Sequence, residues 1–268
     1  MPLGVLINGG AGRLGTRILS LLLEDPELRL AGVLEAPNHP ALGRDAGCLV
    51  GKGDLGVRVV SSLEETAGEA EVVIDFSSPA STLRLAPLVG DRRLAMVIGT
   101  TGCTEDEKGE LARHLKESAW VMAPNMSVGV NVLFQVAGEV ARLLGAGYDV
   151  EIVETHHRFK ADAPSGTALR LAEVVARARG IDLARKARYG REGRPGARDP
   201  EEVGILAVRA GDVVGEHTVI FGGMGERLEL VHKAHSRDNF ALGALRAAKW
   251  VANRPAGRYD MADVLGLK

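Results

Sequence analysis

The sequence predicts an α/β protein: an N-terminal doubly wound parallel sheet, then a C-terminal α+β domain with a mixed or antiparallel four-stranded sheet. Three features predict it. Short apolar runs alternate with longer amphipathic segments through the first half. A glycine-rich turn follows the first apolar run directly. Beyond residue 126 the pattern changes to one long apolar helix and then to closely spaced β-rich runs.

In chain order, LGVLIN (3–8), LRLAGVL (28–34), EVVIDF (71–76), LAMVIGT (94–100) and AWVMAP (119–124) read as buried parallel strands, because each is apolar on both faces. RLGTRILSLLLED (13–25) and TEDEKGELARHLKES (104–118) read as amphipathic crossover helices. SVGVNVLFQVAGEVARLLGAG (127–147) is a long apolar helix, YDVEIVETHH a strand, and PSGTALRLAEVVARARG a helix. VGILAVRAG, GEHTVIFGG and ERLELVHKAH are three more strands, the last two joined by GGMG (222–225) as a hairpin turn. VIF (219–221) is apolar on consecutive positions, so both faces of this sheet need cover, and another subunit is the economical source for one of them. The closing helix, NFALGALRAAKWVAN, is expected to return to the first domain. The expected domains are 1–126, completed by 237–268, and 127–236.

With 268 residues, 46% hydrophobic and 25% charged, the chain can bury a sizeable core. A net charge of −2 argues against a nucleic-acid or membrane-surface partner. Cys48 and Cys103 lie far apart and outside any CxxC spacing, which suggests neither a disulfide framework nor zinc. The chain enters an apolar strand at once without a basic leader, and no uninterrupted apolar run spans a bilayer. The expectation is a cytoplasmic protein with no membrane partner.

GGAGRLG (9–15) places Gly10, Gly12 and Gly15 in a GxGxxG spacing between a strand and a helix, the context a dinucleotide-binding Rossmann-type turn requires. Gly10 is expected to make the tight turn, Gly12 to let a pyrophosphate approach, and Gly15 to let the helix pack on the strand. Glu35, twenty residues after Gly15, is placed to accept hydrogen bonds from an adenosine ribose. SSP (77–79), GTTG (99–102) and PNMS (124–127) end three strands at one sheet edge, where ligands bind in such folds. GTTG suits a nicotinamide, and Asn125 its carboxamide.

The second domain carries ETHHRFKADAPSGTAL (154–169). Neighbours in an extended chain point to opposite sides, so His156 and His157 do not form one clamp, and no third metal ligand is suitably spaced. One histidine can transfer a proton and the other bind an anion. Lys160 adds positive charge. Ser165 reads as a helix N-cap, with Gly166 and Thr167 offering free backbone N–H groups. Together they suit a carboxylate or phosphate. The loop 184–200, rich in Arg, Gly and Pro, reads either as a solvated surface loop or as a flap that holds an anion.

At these residues the chain resembles the dihydrodipicolinate reductase (4-hydroxy-tetrahydrodipicolinate reductase) family of lysine and diaminopimelate biosynthesis. The family motif E-x-x-H-H-x-x-K-x-D-A-P-S-G-T-A corresponds to the stretch from Glu154 to Ala168. GxxGRMG appears with Leu14 for Met, VIGTTG stands at 97–102, and APNFS appears as 123–127 with Met126 for Phe. RAGDVVGEHTV and HKAHSRDNFALGALRAAKW also resemble family segments, so the likeness covers essentially the whole chain. The resemblance implies a two-domain homotetramer that reduces a cyclic imine dicarboxylate with NADH or NADPH. It implies His156 as proton donor and acceptor, Lys160 as second proton donor and carboxylate anchor, and His157, Ser165, Gly166 and Thr167 as substrate contacts. Implied cofactor contacts are Gly9, Gly10, Ala11, Gly12, Arg13, Leu14, Glu35, Gly99, Thr100, Thr101, Ala123, Pro124, Asn125 and Met126. No metal is implied.

NADPH-using members often place Arg directly after the ribose-binding acid; here that residue is Ala36. A carboxylate without the arginine repels a 2′-phosphate, so NADH is the expected cofactor, with Arg44 as a route to NADPH. A short-chain dehydrogenase would need Tyr-x-x-x-Lys, which none of Tyr148, Tyr189 and Tyr259 begins. Two rivals are a related oxidoreductase acting on another small carboxylate, and a nonenzymatic dinucleotide sensor that would need neither His156 nor Lys160.

Overall fold

Strands that are apolar on consecutive residues end up covered on both faces, and they form the centre of the seven-stranded first sheet. The structure is a computed structural model that describes residues 1–66 and 69–268. The strands are β1 Leu3–Asn8, β2 Leu28–Leu34, β3 Val59–Val60, β4 Val72–Asp75, β5 Ala95–Ile98, β6 Ala119–Met122, β7 Asp149–His156, β8 Ala187–Tyr189, β9 Val203–Arg209, β10 Gly215–Gly222, β11 Arg227–Ala234 and β12 Gly257–Tyr259. The helices are α1 Gly15–Leu22, α2 Ala46–Leu49, α3 Pro79–Asp91, α4 Glu105–His114, α5 Val128–Leu144, α6 Gly166–Arg179, α7 Leu183–Lys186, α8 Asp238–Val251 and α9 Met261–Leu265.

The chain divides into two compact units, Met1–Val128 with Arg237–Lys268, and Gly129–Ser236. In the first, the order β12-β6-β5-β4-β1-β2-β3 is parallel throughout. Val5, Leu6, Ile7, Val73, Ile74, Val97 and Ile98 are fully buried, and each such side chain contributes about 1.5–3 kcal/mol on removal from water. One core packs α1 and α8 on the sheet through Ile18, Leu22, Ala244 and Val251. The other face packs against Leu85, Val89, Leu111 and Leu115 of α3, α4 and the turn after α4. The parallel reading of the five long strands is borne out, and α8 packs on this sheet.

The second unit holds a mixed sheet of order β11-β10-β7-β9-β8. It has five strands where the sequence suggested four. Ala187–Tyr189, inside the segment read as a loop, pairs in parallel with β9. A three-residue strand leaves too short a pattern to read from periodicity. Within 184–200, which the sequence left as either a surface loop or a flap, two arginines are paired inside the unit. Arg191 and Arg198 reach back to Glu151, at 2.6 and 3.0 Å, and Arg191 also binds Glu202. Their charges are thereby matched within the unit. Gly204 makes room for this arrangement, since a Cβ there would lie 1.8 Å from Glu151 Oε2.

One face of the second sheet packs on α5 and α6 through Val150, Ile152, Val203, Ile205, Val219 and Phe221. Residues 128–147 are long and apolar enough to cross a membrane by length and composition, yet Val130, Leu133, Phe134, Ala137 and Ala141 pack into this core. Along β7 and β9 the inner row continues past the apolar residues into Glu154, His156 and Arg209, and along β10 into His217. Polar chemistry therefore gathers at one end of an otherwise apolar sheet face.

Candidate active site

In the first unit the turn after β1 is built by close approach. Gly9 takes φ +79°, and Gly12 N–H donates to Gly9 O at 3.1 Å. The left-handed residue is thus Gly9, and the turn does not depend on Gly10 for its φ. Gly10 is small for a different reason: a Cβ there would lie 2.3 Å from Val33 Cγ1. Gly15 acts as the spacing suggested, because its Cβ would stand 2.1 Å from Gly9 O. Gly12 is exposed with only Gly9 O near its missing Cβ, so its backbone is open to a ligand. Glu35 accepts from Ala11 N–H at 2.8 Å and from Ala36 N–H at 3.2 Å, which ties the end of β2 to the glycine turn. A side-chain-free turn beside an oriented carboxylate fits a nicotinamide dinucleotide.

Next along this edge, Asp75 is fully buried at the end of β4. It accepts from Asn8 Nδ2 at 2.7 Å, Ser77 Oγ at 2.5 Å, Thr82 Oγ1 at 2.5 Å and Thr100 Oγ1 at 2.9 Å. Burial pushes its carboxyl above the ordinary range despite these four donors. The cage ties the 77–82 segment and the 99–101 turn to one carboxylate. Thr100 also accepts from Ser77 N–H at 2.9 Å, so its hydroxyl is already engaged, whereas Thr101 is exposed. A Cβ at Gly99 would meet the Phe76 ring at 2.2 Å. Ala123 and Met126 face the core, and the Asn125 amide oxygen accepts from Ser127 N–H at 2.8 Å. Pro124 and Arg13 are exposed, and Leu14 immediately precedes α1.

In the second unit Glu154, with no exposure at all, is the hub. Arg209 grips it with both nitrogens, at 2.8 and 2.9 Å. Ser165 N–H donates to Oε1 at 3.0 Å, and Oε2 lies 2.5 Å from His156 Nδ1. Burial alone would raise the Glu154 carboxyl, but Arg209, His156 and Ser165 together hold it below the usual range. Burial pushes the His156 imidazole down, with Glu154 opposing. His217 stands edge-on to His156 at 5.2 Å, and burial takes it down to about 3. Its Nε2 is 3.1 Å from Ser165 Oγ.

Ser165 caps α6 as expected, its hydroxyl accepting from Ala168 N–H at 3.2 Å. The same hydroxyl meets His217, so Ser165 orients the helix start from beneath. Gly166 is exposed, with nothing within 4 Å of the position of a Cβ, while Thr167 is buried. The helix start can thus receive an anion at Gly166. Lys160 Nζ pairs with both oxygens of Asp162, at 2.8 and 2.9 Å. Arg209 Nη2 also donates to Asp162 O at 2.5 Å, stapling the 157–164 loop to the sheet. His157, the residue after β7, lies beside Phe159, ring to ring at 6.3 Å. Its buried Nδ1 has no partner among the described residues.

Sequence reasoning thus collected His156, Lys160 and the α6 start, and this unit brings them together. It missed Arg209 and His217 altogether and treated Glu154 only as a motif letter. A signal did exist for Glu154: it lies two residues before His156, hence on the same strand face.

Residues 3–126 match the family model for the dihydrodipicolinate reductase N-terminus, and 129–265 the model for its C-terminus. A 4-hydroxy-tetrahydrodipicolinate reductase of Syntrophus aciditrophicus is 50% identical over 266 residues, covering 99% of each chain. One from Anaeromyxobacter dehalogenans is 51% identical over 264 residues, covering 98% of each. Among solved structures, a dipicolinate-bound dihydrodipicolinate reductase from Paenisporosarcina sp. TG-14 shares the fold at TM-score 0.74 and 23% identity, covering 98% of this chain and 99% of that one.

Proposed function

This chain belongs to the dihydrodipicolinate reductase family, and from that premise we propose that it reduces 4-hydroxy-tetrahydrodipicolinate to tetrahydrodipicolinate with a nicotinamide cofactor, in lysine and diaminopimelate biosynthesis. The observation that carries the reading at the level of chemistry is the Lys160–His156–α6 cluster. One cation, one imidazole and one helix N-terminus in a single unit suit a small dicarboxylate, and the dinucleotide turn of the other unit suits its reductant.

The nicotinamide, when bound at Gly9–Leu14, Glu35, Gly99–Thr101 and Ala123–Met126, supplies hydride to the substrate ring. Lys160 and the backbone N–H groups of Gly166 and Thr167 hold the two carboxylates, with His157 as a further contact, and so convert encounter into alignment. Loss of water from the 4-hydroxy compound gives the conjugated imine, and hydride addition at its ring C4 leaves an enamine anion that must gain one proton. His156 gives that proton, and Lys160 is a second source. Burial lowers the proton affinity of His156 before substrate arrives, with Glu154 opposing. A dianion beside it stabilises the imidazolium, so the proton donor is charged when its acceptor is in place. A sensor would need none of this second cluster. Nicotinamide oxidation that depends on added 4-hydroxy-tetrahydrodipicolinate tests the reading. Oxidation absent with this substrate but present with another small carboxylate would transfer it to the related-oxidoreductase alternative.

For the cofactor, NADH is preferred. Glu35 stands with Ala36 beside it and no adjacent arginine, so a 2′-phosphate would meet an uncompensated carboxylate. The kcat/KM for NADH is expected to exceed that for NADPH by about tenfold, and Ala36→Arg to narrow or invert the ratio, on the scale of one charge-assisted pair. Better use of NADPH by the unaltered enzyme would refute the preference.

A homotetramer would cover the sheet face opposite α5 and α6. That face presents Val153, Leu206, Thr218 and Ile220, with Val208 43% and Val231 49% exposed. Apolar rows of this kind are buried by self-association. Native mass in solution should correspond to four chains, and Val231→Glu should shift it to smaller species while leaving the fold of the chain intact. The free cysteines Cys48 and Cys103 suit a reducing cytoplasm.

A further inference from the structure

The two ring nitrogens of His156 have different surroundings. Glu154 and His156 are two residues apart on β7 and share one sheet face. Glu154 is wholly buried, and both of its oxygens are committed: Oε1 to Ser165 N–H and Arg209, Oε2 to Arg209 and His156 Nδ1. A carboxylate ringed by donors in this way can only accept, so the hydrogen on the shared axis belongs to His156 Nδ1. Arg209 is paired with His156 across β7 and β9, and its two-pronged grip prevents the carboxylate from rotating away. On the far side of the ring, a Cβ at residue 215 would lie 3.0 Å from Nε2 and 3.3 Å from Cδ2, so glycine there keeps that nitrogen clear. Among the described residues Nε2 has no hydrogen-bond partner.

We propose that Glu154, held by Arg209, is a positioning residue that fixes neutral His156 as the Nδ1–H tautomer, leaving Nε2 as the nitrogen that exchanges the substrate's proton. The inference rests on the reading of His156 as proton donor. In that step the Nε2–H bond breaks, the proton joins the enamine carbon, and the imidazole returns to the tautomer that Glu154 already holds. Nothing has to reorient between turnovers. The charged or titratable groups around the ring are Glu154 from β7, Arg209 from β9, His217 from β10 and Lys160 from the following loop. Of these only Glu154 favours the charged imidazole; burial, Lys160 and Arg209 all oppose it. Removing the carboxylate therefore costs both the orientation and the proton affinity of the ring.

The first measurement uses the unaltered full-length protein, labelled with ¹⁵N-histidine, at mildly alkaline pH. The His156 resonances should show a protonated Nδ1 and an unprotonated Nε2; the reverse pattern overturns the proposal. The second is kinetic. Glu154→Gln should lower kcat by about 10–100-fold, the range typical of losing a residue that orients a functional histidine, with substrate KM changed less than about threefold. Its fall in kcat on the alkaline side should begin at lower pH than in the unaltered enzyme. The double variant with His156→Gln should be no slower than His156→Gln alone, because Glu154 acts through that ring. Glu154→Asp keeps the charge and should recover part of the loss. If Glu154→Gln does not fold, Arg209→Lys, which loosens the grip without removing charge, should give a smaller drop in kcat that does not add to that of His156→Gln. A Glu154→Gln enzyme with normal kcat and an unmoved pH profile, or a loss that adds to that of His156→Gln, overturns the positioning role. An unchanged kcat in His156→Gln would overturn the reading of His156 itself, and the inference with it; the failures are distinguished by which single variant is silent.

Discussion

Lys160→Ala is expected to lower kcat/KM for the dicarboxylate substrate by about 10³, close to 4 kcal/mol of transition-state stabilisation. The size follows from two effects of one change. The ammonium that would grip a carboxylate is gone, and Asp162, now paired to Lys160 at 2.8 Å, is left as a bare anion beside a dianionic ligand. Lys160 holds the Asp162 carboxyl below its usual range against the upward push of burial, so Asp162 stays ionised in the free protein. Both KM and kcat should suffer, because on the proposed reading the same contact would align the ring and offer a second proton. Lys160→Arg should restore much of the KM and less of the kcat, since it returns the charge without a comparable proton donor. Initial-rate kinetics over substrate concentration separate these. A Lys160→Ala enzyme with normal KM would remove the lysine from substrate binding.

Gly15→Ala is expected to be the most damaging single methyl in the first unit. The added carbon would lie 2.1 Å from Gly9 O and 2.7 Å from Gly10 Cα, and both are backbone that no rotamer change can move aside. Separating α1 from the turn should cost about 1–3 kcal/mol of stability, as overpacking does, and raise the dinucleotide Kd at least about 100-fold, since the turn would lose the shape that fits a pyrophosphate. Gly109→Ala in α4 is the control. It has nothing within 4 Å of the new carbon, and the exchange should stabilise by up to about 1 kcal/mol through helix propensity. Denaturant unfolding and cofactor titration of the two variants decide it; a Gly15→Ala protein that binds dinucleotide normally would overturn this account of the glycine turn.

The first sheet was readable because its evidence is local. Val5-Leu6-Ile7 and Val72-Val73-Ile74 are buried on both faces, and continuous apolar runs of that kind suit few other environments. The Ser165 cap and the GGMG hairpin were readable for the same reason, since their chemistry lies within four residues. Other features were not. The three-residue β8 has too little pattern to separate it from loop, and Arg191 and Arg198 looked like free cations until Glu151, some forty residues earlier, was seen beneath them. The left-handed turn residue proved to be Gly9, because in a run of adjacent glycines only the packing of Val33 says which one must turn and which must merely be small.

The sequence by itself determined the dinucleotide turn, the strand-and-helix alternation, and the histidine–lysine–helix stretch, because each is written within one contiguous segment. Only the tertiary structure decided that Glu154, 55 residues before Arg209 and 63 before His217, is the buried hub of the second cluster, and that Asp75 gathers Asn8 and Thr100 around it. The physical reason is that an isolated carboxylate cannot be buried without donors, and those donors come from neighbouring strands in space, whose pairing no local pattern records.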